Sequence, residues 1–300
     1  MGRKLCHYTC KLLIINTLLS HGVWAQELER SQEHVPLTLY QLLARADLVA
    51  HVRVKDGAGR YAIVEMVSEL KGDAAAAELR IDFRALNLSP HGQELIVFRS
   101  EEEYVLLLMR KHWPKPKESR GNIMELLHGR RGKIRLPAEG WGAALETVQT
   151  LVPLTRLGPE EQSDRLRSHL LTDNLLLREA VLDELIRLQT AEVDDLPALV
   201  HLLSDPSPRI RARDLRLMKQ VFEAGHGTNV TDEERNALGM VLERARNDAN
   251  EEVRIQSVRA LGAWCLPAEL NADLSAIAKQ DPSQSVRYEA ERILFRTTRP

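Results

Sequence analysis

The clearest chemical pattern in this 300-residue chain is a set of four arginines and the residues upstream of them. Arg178, Arg211, Arg254 and Arg287 are separated by 33, 43 and 33 residues. Six places before them stand Thr172, Asp205, Asp248 and Asp281. One place before stand the apolar Leu177, Ile210, Val253 and Val286, and seven after stand Leu185, Met218, Leu261 and Leu294. An aspartate at a helix start can accept from the orphan N–H groups of the first turn, and a guanidinium offers a planar fork that matches a carboxylate. The chemistry implied is structural, not catalytic.

Two further basic groupings can bind a partner. Arg216, Arg259 and Arg292 each fall five residues after a repeating arginine, with Arg213 close by, whereas the first copy has Asp183 there. Stacked copies place these arginines at one angular position, as a stripe that docks an acidic protein segment or is neutralised by Glu289, Glu291 and Asp214. The second grouping is RKHWPKPKESR with GRRGK: Arg110, Lys111, Trp113, Lys115, Lys117, Arg130 and Arg131 among nine Lys/Arg between Arg110 and Arg135, against Glu118 and Glu125. Such a loop can grip an anionic glycan or the cell envelope, or can be a solvated hairpin tip. Asn87-Leu-Ser and Asn229-Val-Thr match glycosylation sequons.

Catalytic patterns are missing. The chain has no Gly-x-Ser-x-Gly, no His-Glu-x-x-His, no Gly-rich phosphate loop and no cysteine pair for zinc. The histidines are scattered singly, and His226 in the inserted EAGHGTNVTD is the one flanked by glycines. We expect no catalytic residues, no metal site and no cofactor. Asp214 is a separate oddity, because its counterparts in the other copies are Val181, Ser257 and Ala290. A carboxylate in an interior slot needs a partner; Arg178 or Arg254 would supply it unless the helix turns Asp214 towards water.

The elements that position these residues are helices. Each arginine-bearing helix is preceded by another, at 160–171, 196–203, 233–245 and 266–278, and the long interval carries residues 223–232 as an extra loop. Pro159 followed by two acids starts the first helix well, and Thr231 with Glu234 forms a capping-box signature. Periods of this size mark helix pairs that bury their apolar faces by stacking on neighbours. The D-x-x-x-x-[VIL]-R pattern over about 159–297 resembles HEAT repeats, in particular those of the bilin-lyase type. That resemblance implies a solenoid of four helix pairs whose second helices line a concave face. It also implies an inter-repeat ladder in which each aspartate caps its helix and each arginine reaches across. Thr172 departs from the pattern, which points to a weaker first cap or to packing on the preceding region.

Residues 46–137 follow another rule, with short apolar runs separated by turns: DLVAHVRVK, YAIVEMVSEL, ELRIDFRAL, ELIVF, EYVLLLM and GKIRL. Leu79, Ile81 and Phe83 alternate with charged residues, the period of a half-buried strand. About six strands predict a small antiparallel barrel or sandwich, which loosely resembles exported barrels of oligonucleotide/oligosaccharide-binding (OB) type. The fold class expected is therefore α+β in two domains. The segments are a signal at 1–25, a segment with a short helix at 26–45, the β region at 46–137, a connecting helix at 138–158 and the helical array at 159–300.

The signal reading rests on a cationic start, the apolar LLIINTLLS and the small residues Val23 and Ala25. The run is shorter than the ~20 residues a membrane span needs. Cleavage leaves Cys265 as the lone thiol, a small buried hydrophobe by type, and shifts the balance to 38 basic against 43 acidic residues. That charge gives no footprint for nucleic acid. The expectation is a periplasmic or secreted scaffold with no further transmembrane segment. Its partner is a protein, an acidic one if the arginine stripe docks it, with a glycan-binding protein as the alternative and an enzyme accessory third.

Overall fold

A computed structural model describes residues 37–57, 61–73, 76–83, 96–110, 123–127, 129–136, 141–224, 231–264 and 268–297. The signal-like segment, most of the basic loop, His226, Cys265 and the asparagines of both sequons lie outside the described residues. Those from Leu39 onward belong to one compact unit.

A short helix α1 (Leu39–Arg45) leads into six strands: β1 (Leu48–Asp56), β2 (Tyr61–Lys71), β3 (Glu78–Asp82), β4 (Glu103–Arg110), β5 (Ile123–Leu126) and β6 (Lys133–Leu136). Their order is β1-β2-β3-β5-β4-β6, and β1 also pairs with β4, so five strands close into a barrel with β6 as an appendage on β4. Period two packs the interior: Ala50, Val52 and Val54 of β1, Leu79 and Ile81 of β3, and Tyr104, Leu106 and Leu108 of β4 share one core. The barrel is filled with side chains.

Two expectations are corrected here. The barrel is not wholly antiparallel, because β3 pairs parallel with β5, Arg80 opposite Ile123 and Asp82 opposite Glu125. The described part of ELIVF, residues 96–98, is not a strand and has no ladder. Ile96 and Phe98 nevertheless enter the barrel core while Val97 faces out, so alternation reflects burial there and not strand pairing. Gly57 permits this path, since a Cβ on it would lie 2.0 Å from the Phe98 carbonyl oxygen. The strand that replaces it is IMEL (β5), four residues between two basic stretches and too short to show a period.

Helix α2 (Trp141–Leu154) follows, then four pairs: α3 (Pro159–Arg167) with α4 (Leu175–Leu188), α5 (Leu196–Leu202) with α6 (Pro208–Glu223), α7 (Asp232–Asn247) with α8 (Glu251–Ala263), and α9 (Ala268–Gln280) with α10 (Gln284–Thr297). The first-copy helix ends at Arg167, earlier than its apolar pattern suggests. Pairing within copies is matched by contact between copies: α4 packs on α6, α6 on α8 and α8 on α10. Leu182, Leu185, Leu215, Met218, Val258 and Leu261 are buried along these seams. The ring of Phe222 meets that of Trp264 edge to face at 4.7 Å between centroids. No helix among the described residues is long and apolar enough to cross a membrane.

The barrel is joined to the helices through α1 and α2. The Tyr40 hydroxyl donates to the Leu154 carbonyl at 2.6 Å, and Lys71 Nζ donates to Leu43 O and Ala44 O at 2.7 and 2.8 Å. Lys71 thus satisfies carbonyls at the C-terminal end of α1, where intrahelical donors run out.

Candidate functional site

Three of the four repeating arginines reach the aspartate of the next copy. Arg211 donates Nε and Nη2 to Asp248 at 2.8 and 2.9 Å, and Arg254 does the same to Asp281 at 2.9 and 3.1 Å. Arg178 reaches Asp205 through Nη1. Each guanidinium also holds its own copy's loop: Arg211 Nη1 donates to Asp205 O at 2.7 Å, Arg254 Nη1 to Asp248 O at 2.9 Å, and Arg178 Nε to Thr172 O at 2.8 Å. One fork therefore ties two successive turns together. Arg287 holds Asp281 O at 2.6 Å and Pro282 O at 3.2 Å, but among the described residues it meets no carboxylate.

The aspartates do not cap the helices, which corrects the expectation. Asp205, Asp248 and Asp281 accept from the backbone N–H two residues on, at Ser207, Asn250 and Ser283. The N-caps are those later residues: Asn174 accepts from Leu177 N and Asn250 from Val253 N, both at 3.2 Å. The aspartate folds the turn, and its outer oxygen is left for the arginine. In the first copy the Thr172 hydroxyl takes the turn-forming role weakly, from Asn174 N at 3.4 Å. The Asn174 amide then donates to Ala143 O and Glu146 of α2, at 2.8 and 3.1 Å, so this copy leans on the connecting helix. Burial pushes the Asp248 carboxyl up, but the Arg211 fork, the Asn250 N–H and the Arg211 and Arg244 charges together hold it below the usual range.

The arginines of the candidate stripe are largely paired in charge. Arg213 donates to Asp183 of α4 at 2.7 Å, Arg216 to Glu252 of α8 at 3.0 Å, and Arg259 to Glu289 of α10 at 3.1 Å. Arg292 also donates to Glu289, its Nε at 3.1 Å. The residues form a belt of ion pairs across the second helices. The sequence left a positive stripe and a neutralised face both open; of the acids it offered, Glu289 takes part in the pairing, while Asp183 and Glu252 are brought in from neighbouring helices. Two hollows interrupt the belt. One of about 270 Å³ lies around Arg209, Arg213, Arg216 and Glu252. The other, of about 520 Å³, is lined by Lys219 and Glu223 of α6, Arg259, Gly262 and Ala263 of α8, and Glu289, Arg292, Ile293 and Arg296 of α10.

Asp214 overturns its expected pairing with Arg178 or Arg254, and it is not wet either. It is wholly buried, and among the described residues neither carboxyl oxygen has a hydrogen-bond partner. Those arginines are engaged in the ladder. Burial pushes the Asp214 carboxyl well above the ordinary range, and the negative charge of Asp205 adds to the rise. Glu184 shows the contrary solution: equally buried, it accepts from Gln162 Nε2 at 3.0 Å and from Arg187 Nε at 3.0 Å.

Of the basic-loop residues, Arg110 and Arg131 are described. Arg110 is exposed and its Nη2 donates to Asp73 O at 3.2 Å; Arg131 is exposed. Lys111, Trp113, Lys115, Lys117 and the side chain of Arg130 lie outside the described residues. Sequence reading missed a polar cluster on the barrel: the buried His51 bonds Glu103 at 2.8 Å, and Arg53 bonds the same carboxylate at 2.7 Å. Alternation along β1 puts His51 and Arg53 on one face, but pairing with β4 is what brings Glu103 there. A second missed hub is Arg167, which donates to Glu192 at 2.8 Å and to Asp195 at 3.3 Å. Among the described residues no group of three or more His, Cys, Asp or Glu is placed to hold a metal ion.

No family model and no curated protein matches this sequence. Solved structures that resemble it cover about half of it. The complex of CpcE and CpcF of phycocyanin lyase from Nostoc sp. PCC7120 matches at 18% identity and TM-score 0.40, over 50% of this chain and 88% of that one. An engineered protein matches at 16% identity and TM-score 0.38, over 52% and 76%. A designed armadillo repeat protein matches at 13% identity and TM-score 0.25, over 54% and 95%.

Proposed function

We propose that this protein is an exported, non-catalytic scaffold whose helix pairs form a HEAT-like solenoid and hold a protein partner on the exposed side of α4, α6, α8 and α10. The observation that carries the reading is the double use of charge. Forks such as Arg254–Asp281, almost fully buried, lock neighbouring copies in register. A separate belt, Arg213–Asp183, Arg216–Glu252 and Arg259–Glu289, runs along the same helices, with Arg216–Glu252 exposed on both sides, Arg213–Asp183 half-buried and the Glu289 carboxylate buried beneath Arg259. An exposed pair such as Arg216–Glu252 contributes little to stability and leaves its charges open to a partner. Export rests on the pattern of residues 1–25. Photo-crosslinking residues placed at Arg216 and at Arg235, on α7, test the scaffold reading in an envelope fraction. A partner that crosslinks from position 216 and not from 235 is the expected result; equal crosslinking from both sinks it. Mass spectrometry of the secreted chain, with Gln26 as the expected first residue, tests export.

A second reading has its own support. The closed order β1-β2-β3-β5-β4, with β3 and β5 parallel, agrees with the OB-type likeness. In such barrels the loop between the fourth and fifth strands takes part in binding oligosaccharides and oligonucleotides. Here that loop is residues 111–122, with Lys111, Trp113, Lys115 and Lys117. Retention on heparin resin that disappears when 111–120 is replaced by a Gly/Ser segment favours this alternative.

A further inference from the structure

Resting on the scaffold reading, we infer that the hollow between α6, α8 and α10 is the seat for an acidic peptide segment of the partner, with acids about three residues apart. Four cations, Lys219, Arg259, Arg292 and Arg296, line it against two carboxylates, Glu223 and Glu289. Those carboxylates do not use up the donors. Lys219 pairs with Glu223 at 2.5 Å, but Glu289 is shared by two arginines. Arg259 spends only Nε on it, so both Nη groups lack a partner among the described residues, as does the whole Arg296 guanidinium. Free, planar N–H forks beside an already shared carboxylate select further carboxylates.

The floor explains why the occupant is a chain and not a small anion. Gly262, Ala263 and Ile293 are small or apolar, and a Cβ on Gly262 would lie 2.6 Å from Ile293 Cδ1, so the floor is closed by direct packing. A volume of about 520 Å³ open along three helices admits several residues. Packed helices lie ~8–10 Å apart, and an extended chain advances ~3.3 Å per residue. A segment crossing α6, α8 and α10 therefore meets a new cation at about every third residue. The full sequence carries a net charge of −2, which disfavours long polyanions such as nucleic acid.

The test is fluorescence anisotropy of the full chain with a labelled peptide carrying Glu at every third position in an Ala background, beside its Glu-to-Gln counterpart. Binding of the Glu peptide that weakens at least tenfold in R259Q/R296E, and stays unchanged in R235E, supports the inference. Thermal melts of each variant confirm folding, and the single variant R296E, a residue without a described partner, serves if the double variant does not fold. Equal binding of the Gln peptide, indifference to both variants, or binding of inorganic tripolyphosphate without the Glu peptide overturns it. If crosslinking from Arg216 persists while the peptide fails to bind, the hollow is wrong and the scaffold reading stands. Loss of both removes both.

Discussion

Asp214 and Ser257 occupy the same position of successive copies, three residues after Arg211 and Arg254, and their polar atoms meet different fates. Ser257 Oγ donates to Val253 O one helical turn back at 2.9 Å, while Asp214 finds no donor for either oxygen among the described residues. The difference follows from protonation. A hydroxyl carries its own hydrogen into the packed seam, and a carboxylate can do so only by taking up a proton.

Stability is therefore expected to fall as pH rises. A carboxyl whose folded value lies above its unfolded one contributes fully below the ordinary Asp value of ~4, and that contribution is lost as pH climbs through the raised folded value. Asp214→Val, which installs the residue found at position 181, is expected to raise stability at pH 8 by about 2 kcal/mol and by much less at pH 5. Urea unfolding at the two pH values measures this. A variant equally displaced at both would show that ionisation of Asp214 is irrelevant.

The ladder predicts unequal arginines. Arg254→Met strands the buried Asp281 carboxylate and is expected to cost about 3 kcal/mol. Arg287→Met loses hydrogen bonds to two loop carbonyls and no carboxylate, and is expected to cost about 1 kcal/mol. Equal losses would mean that the carboxylate half of the fork contributes nothing.

Acid behaviour follows from the same forks. Asp248 is held low, so its contribution is complete above the ordinary carboxylate range and is lost as pH falls through its depressed folded value. Thermal melts between pH 6 and pH 3 are expected to show a smaller acid-side decline in Arg211→Met than in the parent. A decline of unchanged size would locate the acid sensitivity elsewhere.

Two glycines should respond in opposite directions. Gly57→Ala drives a Cβ into the Phe98 backbone and is expected to cost roughly 3 kcal/mol, since a main-chain oxygen cannot rotate away. Gly239 lies within α7 with nothing within 4 Å of a Cβ, so Gly239→Ala is expected to gain about 1 kcal/mol from helix propensity. Chemical denaturation of the pair checks both signs.

Attachment of the barrel to the helices can be probed at Tyr40. Burial, with the nearby Glu184 charge, pushes its hydroxyl up to about 12, against a smaller lowering by Arg187. Burial and the Glu102 bond push Tyr104 up to about 12 as well, so ultraviolet titration is expected to show two late-ionising tyrosines, one of which is lost in Tyr40→Phe, with a stability loss of about 1 kcal/mol for the Leu154 bond. Titration of all tyrosines near 10 would place Tyr40 in water.

Much of the helical half was legible in the chain because its information is local and repeated. Apolar spacing, Pro159, the Thr231–Glu234 box and the recurring Asp–Arg separation each act within a turn or two, and three copies make the register unambiguous. The Thr231 box forms as read, with Glu234 N donating to Thr231 Oγ1 at 3.1 Å. In the β half, alternation located Leu79, Ile81 and Phe83, all buried, because alternation reports burial.

Long-range contact settled the rest. Whether a strand runs parallel, whether ELIVF pairs, which acid meets Arg216 or Arg259, and whether Asp214 finds a partner all depend on groups that are remote in sequence and adjacent in space. A side chain's type fixes what it can bond; the neighbours that packing brings within three ångströms decide what it does bond. At Asp214 packing brought none, and no local signal could have announced that.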